Sequence, residues 1–420
     1  MNRPAPDWPE MWRVFGRVGL LSFGGPAAQI AVMHRILVDE QDWLDEPDFL
    51  RALSFCMLLP GPEATQLATY AGWRLKGVPG GILAGLLFVV PGAVVILALA
   101  ASYVHWGQVP LVAAMFYGIK ASVVVIVIEA LLRVARRALR GGTQRLVAAA
   151  SFAGLFLLNL PFPLIILLAT FVGAAALGPS AAPPPAAERQ AGTGHLLATI
   201  AGGGLLWAAP LALAWLAGQR FLLETGLFFS KLALVTFGGA YAVLAYMTQE
   251  VVQSFGWLST AQMMDALGLA ETTPGPLILV TEFVGFVAGH GRGGWTMAVL
   301  GALMTLWVTF VPCFLWIFAF APYIQRISRR PRLQGALSGI SAAVVGVIGS
   351  LALWFALHVL FAHVGSLSLG RLALPAPSGP DPKSLAIMAI SGWMLLIRHN
   401  NLFSVLGLSA AAGALLAQIG

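Results

Sequence analysis

LLSFGG at residues 20–25 returns as LVTFGG at residues 234–239, so the chain carries one short motif twice, 214 positions apart. Two further pieces return on the same offset: Trp43-Leu44 as Trp257-Leu258, and Pro60-Gly61-Pro62 as Pro274-Gly275-Pro276. In a membrane chain, internal duplication of this kind is typical of transporters, because both copies can supply interrupted helices to one shared site. The repetition therefore predicts two structural copies that act together.

The register of the repeat predicts which positions correspond in the two copies. Gly77 and Gly80 match Gly291 and Gly294 on the same offset, which predicts no gap through this stretch. Seven extra residues then enter the second copy, so that Pro91 aligns with Pro312.

The amino-acid composition is that of a membrane protein. Of 420 residues, 59% are hydrophobic and 10% are charged, whereas soluble domains carry about 25% charged residues. Since a spanning helix needs about 20 apolar residues, the apolar segments predict an all-α polytopic membrane protein of about 13 spans, with the lipid bilayer as its partner. The net charge of +7 does not indicate nucleic-acid binding, because the arginines cluster at the ends of apolar segments, as the positive-inside rule requires.

The copies define the predicted organisation of the chain. Residues 1–177 form the first transmembrane repeat, and residues 178–194 form a linker rich in proline and alanine. Residues 195–217 have no counterpart in the first copy and predict an inserted transmembrane helix. Residues 218–420 form the second repeat.

Charge predicts that the two repeats are inverted. The loop at 133–145 is rich in arginine, and its counterpart at 363–383 has few charges. Conversely, the loop at 326–332 is basic, and its counterpart at 102–110 has no charged residue. Because basic loops face the cytoplasm, equivalent loops lie on opposite sides of the membrane. A single inserted helix between the copies would produce this inversion.

The Pro-Gly-Pro motifs predict broken helices with a binding role. Proline removes a backbone donor and clashes with the preceding turn, so Pro60, Gly61 and Pro62 should end one half-helix and begin another. The second copy repeats this with Pro274, Gly275 and Pro276. The new half-helices offer unpaired amides and a positive dipole to an anion. A packing kink is the alternative, and whether these segments span or re-enter the membrane stays open.

The first helix of each copy is broken by glycines. Gly24, Gly25 and Pro26 in the first copy, and Gly238 and Gly239 in the second, allow a substrate to approach the backbone closely. Close packing of two helices through small residues explains the same motif equally well.

Three basic residues are candidate anion ligands. Arg17 and Lys231 occupy the same repeat position, six residues before the phenylalanine of each glycine motif, and predict a paired anion clamp. Snorkelling toward the membrane surface is the alternative. Lys120 lies in the middle of an apolar segment, where an intramembrane charge is costly and usually functional.

One acidic residue is a candidate proton carrier. Glu63 directly follows Pro62, and burial would suit it to bind a proton; it could equally serve to cap its half-helix. No His/Cys cluster has metal spacing, and Cys56 and Cys313 lie in apolar stretches. No metal and no cofactor is therefore expected.

Taken in order, these motifs resemble the chromate ion transporter family in its long, two-copy form. The resemblance rests on SFGGP at 22–26, Trp43-Leu44, LPGP at 59–62 and Gln66, and on the corresponding motifs of the second copy. It implies a multi-pass inner-membrane protein, not an enzyme, that exports chromate by antiport with protons. It also implies that the motif glycines and prolines are functionally sensitive. The second copy departs from the pattern, with Ala240 in place of Pro26 and Leu277 in place of Glu63.

Other functions stay open at this point. Sulfate shares the charge and tetrahedral shape of chromate, so backbone amides and cations do not distinguish the two ions by geometry. An integral-membrane lipid-phosphate enzyme would need a nucleophile or an acid/base pair, and the acidic stretch at 39–48 has no histidine or cysteine partner beyond His34. A passive anion channel is a third alternative. The sequence leaves a homodimer open.

Overall fold

The computed structural model describes residues 6–178, 193–237, 240–324, 330–369 and 372–419. Gly238 and Gly239, and residues 179–192 of the linker, lie outside the described residues. The described chain is helical apart from loops and one β-hairpin.

The first copy consists of helices, several of which are interrupted where the sequence predicts. Their bounds are α1 Trp8–Leu21, α2 Pro26–His34 with a π-helical turn Arg35–Glu40, α3 Glu46–Cys56, α4 Glu63–Trp106, α5 Pro110–Ala138, α6 Gly142–Phe156 and α7 Phe162–Ala176. Two of these helices, α1 and α3, have side-chain caps: the Asp7 and Asp45 side chains each accept a hydrogen bond from a backbone amide of the first turn, which satisfies an otherwise unpaired donor.

The second copy follows α8, Thr193–Leu216. Its elements are α9 Arg220–Val235, α10 Ala240–Gln249 with a π-helical turn Glu250–Ser254, α11 Thr260–Glu271, a 3₁₀ turn Leu277–Leu279, α12 Val280–Phe320 with a 3₁₀ turn Ala321–Tyr323, α13 Pro331–Leu360, β1 Phe361–Leu369, β2 Leu372–Pro380, α14 Pro382–Gly392 with a π-helical turn Trp393–Ile397, and α15 Leu402–Ile419.

The lengths and composition of the helices agree with a membrane protein. Among the described residues, five helical segments are long and apolar enough to cross a membrane: 63–106, 110–138, 194–216, 277–323 and 331–360. Shorter apolar helices accompany them at 162–176, 382–397 and 402–418. The total of about 13 spans stays a prediction.

A single apolar helix, α8, occupies the segment predicted as an insertion. Two tryptophans attach it to α12: the Trp207 indole donates to the Val308 carbonyl at 3.1 Å, and the Trp307 indole donates to the Leu206 carbonyl at 2.9 Å. Much of its remaining surface is exposed and apolar, with Leu205 74% exposed, as suits a helix in contact with lipid.

Packing groups the described residues into two compact units, and each unit takes segments from both copies. Unit 1 comprises the described residues within Met1–Ala101, Pro179–Val243 and Thr273–Leu333. Unit 2 comprises the described residues within Ser102–Gly178, Leu244–Thr272 and Gln334–Gly420. The division of the sequence at residues 177 and 218 stays a prediction about the repeat.

Matching kinks correct the predicted register of the repeat. In the first copy the backbone leaves the helix at Lys76 and Gly77, and in the second at Gly293 and Gly294, with φ of +64° at Gly77 and Gly294. The kinks pair Gly77 with Gly294, so the ungapped alignment of Gly77 with Gly291 is wrong. Three of the seven additional residues of the second copy form the 3₁₀ turn Leu277–Leu279, because α4 begins directly after Pro62 whereas α12 begins only after this turn.

The described residues confirm the all-α prediction, and one short β-hairpin accompanies the helices. Residues 361–380 form an antiparallel hairpin in which Phe361 pairs with Pro380 and Leu369 with Leu372. Prolines at 375, 377 and 380 exclude a helix here, because proline cannot donate to the helical hydrogen-bond ladder.

Candidate functional site

Two reciprocal hydrogen bonds join the interrupted helices of the two copies within unit 1. The Gly61 amide donates to the Thr236 carbonyl at 2.8 Å, and the Gly275 amide donates to the Ser22 carbonyl at 2.8 Å. Since Gly275 and Thr236 are the second-copy counterparts of Gly61 and Ser22, the two bonds are equivalent. Each Pro-Gly-Pro loop is therefore bound to the glycine break of the other copy. We call residues 22–25, 60–62, 236–237 and 274–276 the loop crossing.

Side-chain amides hold the loop crossing together. The Gln29 amide, 1% exposed, donates to the Gly24 carbonyl at 2.7 Å and to the Gly275 carbonyl at 2.8 Å. The Gln66 amide donates to the Pro60 carbonyl at 2.7 Å. Gln29 thereby ties the break of one copy to the loop of the other, a role that sequence reasoning missed. The available signal was a polar glutamine in an apolar helix just after the glycine break.

Backbone conformation explains why glycine stands at the centre of each loop. Gly61 has φ of +118° and Gly275 has φ of +83°, which residues other than glycine rarely adopt. A methyl group at Gly61 would lie 3.0 Å from Cys313 Sγ, and one at Gly275 would lie 3.2 Å from the Phe88 carbonyl oxygen. Both loops are thus built for close approach of neighbouring chain segments.

Two helices and one 3₁₀ turn begin at the loop crossing. The N-cap of α2 is Gly25, α4 begins at Glu63, and the 3₁₀ turn begins after Pro276. No described side chain caps α2 or the 3₁₀ turn. The first amides of a helix have no partner within it and carry the positive end of the dipole. This arrangement favours an anion.

Buried polar atoms gather at the starts of α4 and α12. Within the described part of the chain, four of them have no hydrogen-bond partner: Thr65 Oγ1, Gln66 Oε1, Thr281 Oγ1 and Glu282 Oε2. Buried polar groups in native proteins nearly always find a partner, in the protein or in water. These atoms therefore have hydrogen-bonding capacity available to water or to a polar ligand.

The remaining predicted residues of the crossing are placed as follows. Pro26 is the first residue of α2, and Glu63, 8% exposed, is the first residue of α4. Tyr241 borders the glycine break, because a methyl group added at Gly25 would lie 3.2 Å from its hydroxyl oxygen. Tyr241 is a second residue that sequence reasoning missed.

The two cations of the predicted clamp, Arg17 and Lys231, have different surroundings in the structure. Arg17 Nη1 lies 2.6 Å from Glu40 Oε2, with 49% of the arginine side chain exposed. Lys231 is exposed on α9. The π-helical turn after α2 thus supplies a partner for Arg17, and the clamp stays a prediction.

Lys120 belongs to unit 2, where it is half-buried and forms an ion pair with the buried Asp265. Its ammonium lies 3.4 Å from Asp265 Oδ1, and the Tyr103 hydroxyl donates to Asp265 Oδ2 at 2.9 Å. The most buried residue of this group is Asp265, 3% exposed, which sequence reasoning did not single out. An acidic side chain inside an apolar segment was the signal that could have identified it.

Comparison with known proteins gives consistent matches over most of the chain. The sequence model of a family described as "Chromate transporter" matches residues 9–174 and 223–415. A chromate transport protein of Pseudomonas aeruginosa is 32% identical over 385 residues, covering 87% of this chain and 85% of the relative. A probable chromate transport protein of Synechococcus elongatus is 29% identical, covering 93% and 96%. A chromate transport protein of Cupriavidus metallidurans is 30% identical, covering 80% and 79%. No solved structure matches.

Proposed function

This chain belongs to the chromate transporter family, and we propose that it exports chromate across a cell inner membrane in exchange for protons. The family is one of transporters, so the chain is a membrane transporter and not an enzyme. This excludes the lipid-phosphate enzyme considered above. The relatives named as chromate transport proteins support chromate as the substrate.

The observation that carries the proposal is the reciprocal pair of hydrogen bonds from Gly61 to Thr236 and from Gly275 to Ser22. These bonds bring the broken helices of both copies into one cluster, where uncapped helix starts offer amides to an anion. Irregular backbone at membrane depth is tolerated where it is buried in protein or lines a wet cavity. The loop crossing is therefore our proposed chromate site, with Gly24, Gly25 and the two Pro-Gly-Pro loops as its binding residues and Pro26 directly after it.

Electrostatics favours export over uptake. Chromate is a dianion, so each crossing moves two charges through the membrane field. At about 2.3 kcal/mol per charge per 100 mV, an interior-negative potential of that size favours exit by roughly 4.6 kcal/mol. Proton entry in exchange adds to this drive. Glu63, buried beside Pro62 at the crossing, is the predicted proton carrier of the site.

The second candidate function is export of sulfate or another tetrahedral oxyanion. It is favoured by the chemistry of the crossing itself, because backbone amides at helix starts recognise charge and shape. Among the described residues of the crossing, no contact distinguishes chromium from sulfur at the centre of the ion.

Inside-out vesicles containing the protein test the proposal. Labelled chromate is supplied outside, with and without a proton gradient, and with sulfate in excess; vesicles without the protein are the control. We expect uptake that an uncoupler abolishes and that sulfate does not compete away. Equal inhibition by sulfate would establish a general oxyanion carrier. If the rate of chromate uptake is the same with and without the proton gradient, the protein is a channel. If there is no uptake, the proposal is wrong.

A further inference from the structure

We propose that Asp265, Lys120 and Tyr103 form a proton site of the transport cycle, in which Asp265 binds the coupled proton. Lys120 is the counter-charge of the carboxylate, and Tyr103 is a positioning residue that holds it. This inference rests on the proposed proton-coupled export and assigns a residue to the proton. It names Asp265, in unit 2, as the proton carrier in place of the predicted Glu63, in unit 1.

The geometry leaves one carboxylate oxygen of Asp265 open to protonation. Oδ2 accepts a hydrogen bond from the Tyr103 hydroxyl at 2.9 Å, whereas Oδ1 faces the Lys120 ammonium at 3.4 Å. Charge-assisted hydrogen bonds between ammonium and carboxylate are typically about 2.7–2.9 Å long. The lysine therefore balances the charge without closing the position at which a proton would bond to Oδ1.

The location of the pair argues against a purely structural role. Asp265 is 3% exposed, and 23% of the Lys120 side chain is exposed. A buried ion pair often stabilises a protein no better than apolar residues of similar size, because both charges lose their hydration. Lys120 lies on α5, a helix long and apolar enough to cross a membrane, and ionisable residues inside membrane segments are rare and mark ion or proton pathways.

The residues of this site are not repeated in the other copy. In the repeat alignment that pairs Pro60 with Pro274, Asp265 corresponds to Arg51, and in the alignment that pairs Pro91 with Pro312, Lys120 corresponds to Ser341. Arg51 instead forms an exposed ion pair with Asp48, one turn earlier on α3. A binding site for the transported anion could draw on both copies, but a proton carrier needs a single carboxylate.

The chain connects this site directly to the loop crossing. Asp265 lies on α11, which ends at Glu271 and leads through two residues into Pro274. Tyr103 lies near the end of the second half of α4, which the kink at Lys76 and Gly77 separates from the half that begins at Glu63. A change in the ion pair can therefore act on α11, the helix that leads into the second Pro-Gly-Pro loop.

The titratable groups that face the carboxylate come from two neighbouring helices. Lys120 faces it from α5 and Tyr103 from the end of α4. On α11 itself, the other titratable side chain is Glu271. The step is a simple proton transfer: the Asp265 carboxylate takes one proton from water on one side and becomes a neutral acid. It returns that proton to water on the other side, restoring the carboxylate and its pairing with the Lys120 ammonium.

Asp265→Asn, which fixes the neutral form, tests the site in proteoliposomes. Two fluxes are compared: chromate accumulation driven by a pH gradient, and exchange of chromate for chromate without a gradient. A one-unit gradient changes the accumulation ratio by up to about tenfold per coupled proton. We expect Asp265→Asn to lose this response and to keep the exchange. Tyr103→Phe should shift the pH profile of accumulation while retaining coupling.

Control variants separate this inference from structural effects and from the proposed function. Glu129→Gln removes the carboxylate of an ion pair with Arg133 on the same helix, α5, and should leave coupling unchanged. If Asp265→Asn still responds to the pH gradient, or if only Glu63→Gln abolishes the response, the inference is wrong. If the wild-type protein shows no chromate flux, the proposed function itself fails.

A variant with little flux is still informative, because proton binding is measured directly. Chromate is added to the purified protein in weakly buffered detergent solution, and the pH change is followed with a dye. We expect a pH change for the wild type and none for a monodisperse Asp265→Asn. An unchanged signal in that variant overturns the inference. So does restored coupling in the neutral double variant Lys120→Met/Asp265→Leu, because only a structural pair would be rescued by removing both charges.

Discussion

Gly275→Ala should impair transport far more than it impairs stability. Gly275 has φ of +83°, and a residue with a side chain in this region costs about 1–3 kcal/mol. The added methyl group would also lie 3.2 Å from the Phe88 carbonyl oxygen and 3.3 Å from Leu279 Cδ1. The loop must therefore shift by a few tenths of an ångström, which strains the hydrogen bond from Gly275 to Ser22.

Gly294→Ala is the matched control, because Gly294 has φ of +64° and no atom within 4 Å of an added methyl group. We expect both variants to lose about 1–3 kcal/mol of unfolding free energy from backbone strain. In proteoliposomes, chromate flux should fall at least about tenfold in Gly275→Ala, since small misplacements at a binding site have large effects on rate, and should stay within a factor of about two in Gly294→Ala. Equal fluxes in the two variants would refute the role of the loop crossing.

Three further predictions address other residues. Gln29→Met removes the hydrogen bonds to the half-buried Gly24 carbonyl and the buried Gly275 carbonyl, so the free energy of unfolding should fall by about 1–3 kcal/mol and chromate flux should fall. Normal flux would show that the crossing does not need this amide. If the predicted clamp exists, Arg17→Gln and Lys231→Gln should both weaken chromate affinity, with the smaller effect at Arg17 because Arg17 pairs with Glu40. Titration of each variant with chromate measures the affinity, and two unchanged affinities would exclude the clamp. The hydrogen bond from His34 to Glu46, aided by the nearby Asp39 carboxylate, raises the pKa of His34 above its ordinary value, so its stabilising effect is present at acidic pH and is lost as pH rises through the raised pKa. Thermal stability should therefore fall between about pH 6 and 8 more in the wild type than in His34→Gln, and parallel pH profiles would contradict this.

The sequence was sufficient to predict the broken helices, because each break is encoded locally by glycine and proline. The gaps between α1 and α2, and between α3 and α4, lie where the motifs at 22–26 and 60–62 predict them. The error in register arose because glycines at 291, 293 and 294 allow more than one alignment with Gly77. Only the backbone shows which of them forms the kink.

Partners from distant parts of the chain could not be predicted. Gln29 contacts Gly275 across 246 positions, and Lys120 meets Asp265 from another helix, so no local pattern relates either pair. Arg17 was predicted as an anion ligand from its repeat position, but the π-helical turn after α2 places Glu40 beside it. The pattern of apolar residues along one helix does not predict which polar residues of other helices contact it.

Anomalous diffraction at the chromium absorption edge, from crystals of the protein grown with chromate, tests the central claim most directly. The account predicts a chromium peak at the loop crossing, within hydrogen-bond reach of the amides that begin α2 or α4. A chromium peak in unit 2 beside Lys120, with none at the crossing, would contradict it.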